Sequence, residues 1–491
     1  MFFVLFIYLL LGTVENVRTA LPQNIFFTVD PLTGVASLLA SRSLIVPLVI
    51  GAAAFLLVAL IFGRVWCGWV CPMGTLNDLV STRSSKKLDN DPTPWWFYKY
   101  AVLFTVVLIA AFGSMTLIGL DPLTLLYRSL TSAVFPLISG FLALVEMVLG
   151  VVFPITSVHG SLAWFDTNVR QHFLGTTIFY LPNLVLLFVF AAVLAFNFVR
   201  PRAWCRYLCP LGAFGALVSK VSLVKHRVNV DKCTACDRCV AVCPTGAVRK
   251  KLNYAADRSE CIACLDCIAN CPDGAISFPA GVNYRPSLEP ERRQFIAMFG
   301  LAVIGAFLLR FPSSNKKLPA LLRPPGTAEY VMETKCIRCG ECARVCPTHA
   351  IQTVNSFQAW DTAGSPYLIL RQGYCDYSCN ACGQVCPTGA IPKLTLAEKQ
   401  VQNIGIAVVD EQRCVAFVEN RECLICRKVC PLPQKAIMAV NQTGSVARPK
   451  VDTSLCTGCG VCEYNCPVKD DAAIRVYRTL AVSPETKPLV Y

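Results

Sequence analysis

Residues 44–62, 101–119 and 178–199 are apolar and carry no charge. Each is close to the ~20 residues that cross a bilayer core, so the pattern predicts three membrane helices. The opening MFFVLFIYLLLGTV is apolar but short, and with no basic residues ahead of it, it reads as a first span rather than a secretory signal. Residues 136–152 are also apolar but contain Glu146. The pattern contains a repeat. DPLTGVASLL begins at Asp30 and DPLTLLYRSL at Asp121; each lies between apolar stretches, the second of which ends in a cysteine motif. Those motifs are RVWCGWVCPMG, from Arg64, and RAWCRYLCPLG, from Arg202. The repeat predicts a duplicated helical domain of about four spans with both motifs on one side, and requires 136–152 to lie at the interface or re-enter rather than cross. Residues 294–309 are a further apolar stretch, short for a span and preceded by ERRQF.

Charge assigns the sides. Arg64, Arg83, Lys86 and Lys87 follow the first motif's span, and Arg200, Arg202, Arg206, Lys220, Lys225 and Arg227 follow the second; the opposite loops carry only Arg18, Arg42, Arg128 and Arg170. Basic residues concentrate in cytoplasmic loops, which places both cysteine motifs on the cytoplasmic face. The formal charge of +14 is spread along the chain rather than gathered in one tract, which argues against a nucleic-acid partner. Apolar residues make up 54% of the 491 and mean hydropathy is +0.51, in keeping with a chain that is part membrane domain.

There are 28 cysteines against four histidines. In a long chain that composition points to metal rather than disulfides, and the spacing supports this. Cys233, Cys236, Cys239 and Cys243 follow C-x2-C-x2-C-x3-C-P. The same run recurs at Cys261, Cys264, Cys267, Cys271, at Cys336, Cys339, Cys342, Cys346 and at Cys456, Cys459, Cys462, Cys466. This is the bacterial ferredoxin run, in which three thiolates bind one [4Fe-4S] cluster and the fourth binds its neighbour. Zinc also takes four ligands, but not in this serial spacing. Cys375, Cys379, Cys382, Cys386 and Cys414, Cys423, Cys426, Cys430 open irregularly and keep the rest. Six [4Fe-4S] clusters are therefore expected, two between Cys233 and Cys271 and four in the C-terminal region. In the first pair the crossing is Cys233, Cys236, Cys239 with Cys271, and Cys261, Cys264, Cys267 with Cys243. In the C-terminal region nested and sequential pairings both fit the spacing.

Cys67, Cys71, Cys205 and Cys209 complete the count. Pro72 and Pro210 fit the first turn of a helix, which sets Cys71 and Cys209 at helix N-termini, where the dipole favours thiolate. If the two halves face each other, four thiolates meet and a seventh cluster is one reading. Redox-active dithiols, copper or another soft metal, and inert buried cysteine are the others. Trp66, Trp69, Trp204 and Tyr207 read as an interfacial aromatic belt. The cluster regions contain no G-x-G-x-x-G after a strand, so no flavin or dinucleotide motif, no C-x-x-C-H haem c site and no nucleophile elbow, which makes them a wire rather than a catalyst.

With these motifs in hand, residues 1–280 resemble NapH, the membrane subunit of the quinol dehydrogenase that feeds periplasmic nitrate reductase. Residues 291–480 resemble NapG, its four-cluster partner exported by the twin-arginine route, to whose signal ERRQFIAMFG is similar. The resemblance implies quinol as electron donor, the quinone pool and lipid as surroundings, and a molybdenum- or haem-containing partner on the extracytoplasmic side. The expected organisation is a membrane domain over 1–227, a cytoplasmic two-cluster α+β ferredoxin over 228–290, an anchor over 291–311 and an extracytoplasmic four-cluster polyferredoxin over 312–491, in a multi-pass cytoplasmic-membrane protein. His159, His172, Asp166, Asp30, Asp121 and Glu146 are candidate proton acceptors, though a turn before proline accounts for both aspartates without chemistry. Two further functions remain open. One is a maturation or regulatory reductase of the NosR or RdxA type; the other is a ferredoxin-linked subunit that sends electrons toward quinone.

Overall fold

The computed structural model describes residues 2–13, 22–81, 94–152, 156–166, 168, 170, 183–281, 292–310, 321–354, 362–440 and 446–478. The chain forms two compact units that do not follow chain order. The first comprises Met1–Gly12, Arg18–Val134 and Tyr180–Pro312; the second comprises Thr13–Val17, Phe135–Phe179 and Ser313–Tyr491.

The first unit is helical, and its duplication is visible in the helix starts. Pro31–Ser41 and Pro122–Ser129 each begin with proline behind an aspartate. Asp30 accepts the amides of Leu32 at 3.0 Å and Thr33 at 3.2 Å; Asp121 accepts those of Leu123 at 2.9 Å and Thr124 at 3.2 Å. A side-chain acceptor at the N-cap satisfies amides that the helix cannot, and proline at N1 gives up a donor that would otherwise be orphaned. The second pair of equivalent helices, Pro72–Val80 and Pro210–Ser219, starts behind Cys71 and Cys209. Those two cysteines adopt nearly the same backbone angles, φ −65°, ψ 115° and φ −66°, ψ 113°.

The expected spans appear as Val46–Phe62, Tyr98–Ala111 and Asn183–Val199, with Phe2–Leu11 at the start and Arg292–Arg310 after the insert. Among the described residues, only the helix over Pro122–Val151 is long and apolar enough to cross a membrane by length and composition. This does not reproduce the expected four spans. The single candidate includes 136–151, nearly all of the stretch that the repeat keeps from crossing. The other apolar helices have apolar stretches of 10–17 described residues. Tyr98–Ala111 gives way to a 3-10 turn at Thr116–Leu120 that delivers the chain to Asp121. Arg292–Arg310 lies along Tyr98–Ala111, with Gly305 facing Thr105.

The insert closes with a two-stranded antiparallel pair, Arg227–Val228 with Ile276–Ser277. The second unit carries three more such pairs among the described residues: Ile351–Thr353 with Pro366–Leu368, Ile406–Val409 with Ile474–Tyr477, and Ile437–Val440 with Arg448–Val451. Short strand pairs and single-turn helices cannot bury a large core on their own. The interior is built on the cysteines, with Cys462 among the buried residues around Ile351, Leu370 and Ile474, and Cys342, Cys346, Cys375, Cys382, Cys426, Cys456 and Cys466 packed against them.

Candidate metal centres

The ferredoxin loops share a backbone signature. In the four regular runs, the residue on either side of the second cysteine has positive φ: Ala235 and Asp237, Ala263 and Leu265, Arg338 and Gly340, Gly458 and Gly460. This left-handed conformation costs a residue with a Cβ roughly 1–2 kcal/mol. Five of the eight positions carry that cost. Alternating hands in successive residues turn backbone N–H groups into one concavity, which suits an anion. Thiols join in. Cys243 accepts the amide of Ala247 at 3.2 Å and Cys271 that of Ala275 at 3.3 Å.

The grouping of cysteines crosses between runs. Cys233, Cys236, Cys239 and Cys271 line one pocket. Cys261, Cys264 and Cys267 each lie within electrostatic reach of Cys243. In the second unit, Cys336, Cys339, Cys342 and Cys386 line one pocket, and Cys414, Cys423, Cys426 and Cys466 another. Cys382 gathers Cys375, Cys379 and Cys346; Cys462 gathers Cys456 and Cys459, and Cys459 in turn reaches Cys430. The C-terminal runs thus pair sequentially, first with second and third with fourth. The two pairs meet where the Cys375 amide donates to the Cys459 carbonyl at 2.8 Å. Lys399, buried at this junction, faces both cysteines and donates to the Asp376 carbonyl. Arg371 holds the same seam through the carbonyls of Glu463 at 3.1 Å and Cys466 at 3.0 Å.

The split motifs also converge. Cys209 lies within electrostatic reach of Cys205, Cys67 and Cys71. Cys67 occupies the turn Trp66–Val70 and Cys205 the turn Ala203–Tyr207, while Cys71 and Cys209 cap the following helices. Cys209 Sγ accepts from the Gly212 amide at 3.1 Å, and Cys205 Sγ from Asn77 Nδ2 at 3.4 Å, with Asn77 itself held by Asn197 at 2.8 Å. Burial drives the Cys71 and Cys209 thiols well above a free cysteine, and the neighbouring sulfurs push them further. Buried thiolates this close together stay ionised only if positive charge joins them. Two buried arginines supply part of it. Arg202 donates to the Cys67 carbonyl at 2.9 Å and is clamped by Asp78. Arg64 pairs with Glu260 at 3.2 Å, and Lys99 pairs with the same carboxylate. Burial opposes the Arg64 charge, yet Cys67 and Glu260 outweigh it and hold the guanidinium above its ordinary range. Each arginine also lies against the glycine of the opposite motif: a Cβ on Gly212 would sit 3.0 Å from Arg64, and one on Gly74 would sit 3.5 Å from Arg202 and 2.7 Å from the Cys67 carbonyl oxygen. Spacing did not reveal these cross-braces; the only signal was that the arginine precedes both motifs at the same distance.

The indole N–H groups of Trp66 and Trp204, equivalent in the repeat, find no acceptor among the described residues. Buried donors of that kind suit the inorganic sulfides of a cluster. The four cysteines and these two donors fit a [4Fe-4S] cluster.

Of the four residues expected in an aromatic belt, Trp204 and Tyr207 are buried instead, Trp66 packs edge-on against Phe55 at 5.4 Å, and Trp69 is half exposed and donates to the Ala263 carbonyl at 2.9 Å. Among the candidate proton acceptors, Asp30 and Asp121 serve as helix caps, and Glu146 and Asp166 both pair with Arg170. The His159 side chain and His172 lie outside the described residues, as do Arg83, Lys86 and Lys87.

Comparison with known proteins agrees with this geometry. The profile of a 4Fe-4S binding domain matches residues 44–90 and 182–230, one split motif in each, and a second profile of that description matches 226–249 and 449–469. A 4Fe-4S dicluster domain matches 335–390. The methylamine utilization ferredoxin-type protein MauM of Methylobacillus flagellatus is 36% identical over 203 residues, covering 38% of this chain and 84% of the relative. The ferredoxin-type protein NapG of Escherichia coli is 32% identical over 210 residues, 39% of this chain and 87% of the relative; that of Haemophilus influenzae is 32% identical over 207 residues, 39% and 73%. No solved structure matches. With loops, crossed cysteine sets and relatives in agreement, this chain belongs to the family of ferredoxin-type 4Fe-4S electron-transfer proteins that includes MauM and NapG.

Proposed function

We propose that the chain is a membrane-bound electron-transfer subunit that oxidises quinol and delivers electrons to a partner reductase on the extracytoplasmic side. The observation that carries the reading is the gathering of all 28 cysteines into seven sets of four. Six sets would hold the ferredoxin clusters, and Cys67, Cys71, Cys205 and Cys209 a seventh. Each [4Fe-4S] cluster supplies a one-electron centre. The chain's own residues order those centres and set their surroundings. In the second unit the order is Cys336 set, Cys375 set, Cys456 set, Cys414 set, with the middle two joined through the Cys375–Cys459 contact beside Lys399.

Lipid contact is supported by exposed apolar side chains on the helices of the first unit: Ile50 and Leu57 on Val46–Phe62, Phe188 on Asn183–Val199, and Ile304 and Phe307 on Arg292–Arg310. Such surface is costly in water and at home in hydrocarbon. The likeness of residues 1–280 to NapH supports quinol as donor and a fused arrangement of the two subunits.

The test is anaerobic addition of a water-soluble menaquinol to the purified full chain in lipid nanodiscs, followed by electron paramagnetic resonance (EPR). Quinol gives up two electrons and two protons, so two one-electron centres should be reduced per quinol. Clusters that dithionite reduces and menaquinol leaves oxidised would contradict quinol as donor.

A further inference from the structure

The Cys67–Cys71 turn rests directly on the loop of one ferredoxin set. A Cβ on Gly68 would lie 2.4 Å from the Ile262 carbonyl oxygen, so the two backbones meet where only glycine fits. On the next residue, the Trp69 indole donates to the Ala263 carbonyl at 2.9 Å. Arg64, three residues before Cys67, donates to the Ser259 carbonyl at 2.8 Å and pairs with Glu260, whose other oxygen takes Lys99. Ser219, at the end of the helix that Cys209 caps, donates to the Arg258 carbonyl at 3.0 Å. Every one of these acceptors lies in residues 258–263, which run into Cys261 and Cys264. The loop bearing Cys233 and Cys236 receives no such contact in the described hydrogen bonds or ion pairs.

We infer that the set of Cys261, Cys264, Cys267 and Cys243 is the electron-exchange partner of the four-cysteine site, with Gly68 and Trp69 as the bridge, and that the Cys233 set is the distal member. The inference rests on the reading that both sites hold redox centres. One electron crosses at a time. Quinol is the two-electron reductant, and its two protons leave to solvent groups. The buried trio of Glu260 with Arg64 and Lys99 holds the bridge in place, because separating any member leaves a charge uncompensated in the interior. Gly68 and Trp69 act by position, since neither supplies a ligand.

Two measurements on the full chain test this. The first is a redox titration followed by EPR, independent of the donor. Replacing Cys71 and Cys205 by alanine removes the four-cysteine site. The cluster of the Cys261 set should then shift by at least ~59 mV, a tenfold change for one electron, while the Cys233 set stays unmoved; a Cys233→Ala variant identifies which signal is which. A shift on the Cys233 set, or on neither, overturns the inference. The second is the rate at which menaquinol reduces the insert. Gly68→Val should slow it at least tenfold with iron content unchanged, and Trp69→Phe should slow it less. If Gly68→Val loses iron, Trp69→Phe and the titration decide. Unaltered rates in both variants overturn the bridge. Failure of menaquinol to reduce the unmodified protein would instead contradict quinol as donor, and the titration would still decide the order.

Discussion

The serial ferredoxin loops and the split four-cysteine site solve one problem by different means. A serial loop takes three cysteines from seven residues and pays with backbone strain, as at Ala235, Asp237 and Ala263, all held at positive φ. Its fourth cysteine arrives from a neighbouring loop a few tens of residues away. The split site takes two cysteines from each repeat, 138 residues apart between Cys67 and Cys205. It uses no strained residue between its cysteines and instead buries Arg64, Arg202, Lys99 and Asn77 around them. A compact loop can organise its site through local conformation. A site assembled from distant segments needs buried charge to fix the register of those segments.

Removing the charge should break the split site first. In Glu260→Leu, Arg64 and Lys99 lose their shared partner and remain buried, which costs about 3–5 kcal/mol. Chemical denaturation followed by cysteine-cluster absorbance should show the first unit unfolding earlier, with the C-terminal sets unchanged.

A second expectation concerns pH and separates the insert from the sites around it. Burial lowers the His226 imidazole from 6.5 to about 4, and its Nδ1 accepts the Ala256 amide at 3.2 Å. Between those values the unfolded chain binds the proton and the folded insert does not. Stability is therefore full above about 6.5 and falls as pH drops toward about 4. The loss is roughly 3 kcal/mol at ~1.4 kcal/mol per unit. His226→Asn keeps an acceptor and does not titrate, so its unfolding midpoint should be flatter over this range; an unchanged pH profile would remove His226 as the cause.

How much of this was legible in the sequence follows the same division. The ferredoxin sets could be read because cluster geometry is written in local spacing, and the crossing of Cys243 and Cys271 follows from it. The choice between sequential and nested pairing could not be read, since the seam of Cys375, Cys459 and Arg371 forms only on folding. The Asp-Pro-Leu-Thr repeat predicted two equivalent helix starts, and both capping aspartates are where it placed them. It did not show that 136–151 continue the apolar helix from Pro122. Residue type at a span end suggests a membrane-belt role for Trp69 and says nothing of the Ala263 carbonyl it meets on folding. The role of Arg64 depends on Glu260, 196 residues away.

Smaller effects sharpen the contrast in backbone strain. Gly458→Ala should destabilise the C-terminal region by at least ~1–2 kcal/mol, since the new Cβ meets the Gly405 backbone at 2.4 Å as well as adopting positive φ. The reverse change, Ala263→Gly, should relieve strain in the insert, with a gain of about 1 kcal/mol at most. Thermal unfolding of the two variants side by side reads both signs; a loss in Ala263→Gly would mean that the alanine methyl does more than tolerate its loop.

The central claim is that all seven cysteine sets hold clusters, the split one included. The most direct measurement is iron and acid-labile sulfide per chain in anaerobically purified full-length protein, beside a Cys71→Ala, Cys205→Ala variant. With 28 cysteines in seven sets, the account predicts about 28 irons in the unmodified chain and about 24 in the variant. Equal iron in the two, near 24, would contradict it and leave Cys67, Cys71, Cys205 and Cys209 as thiols.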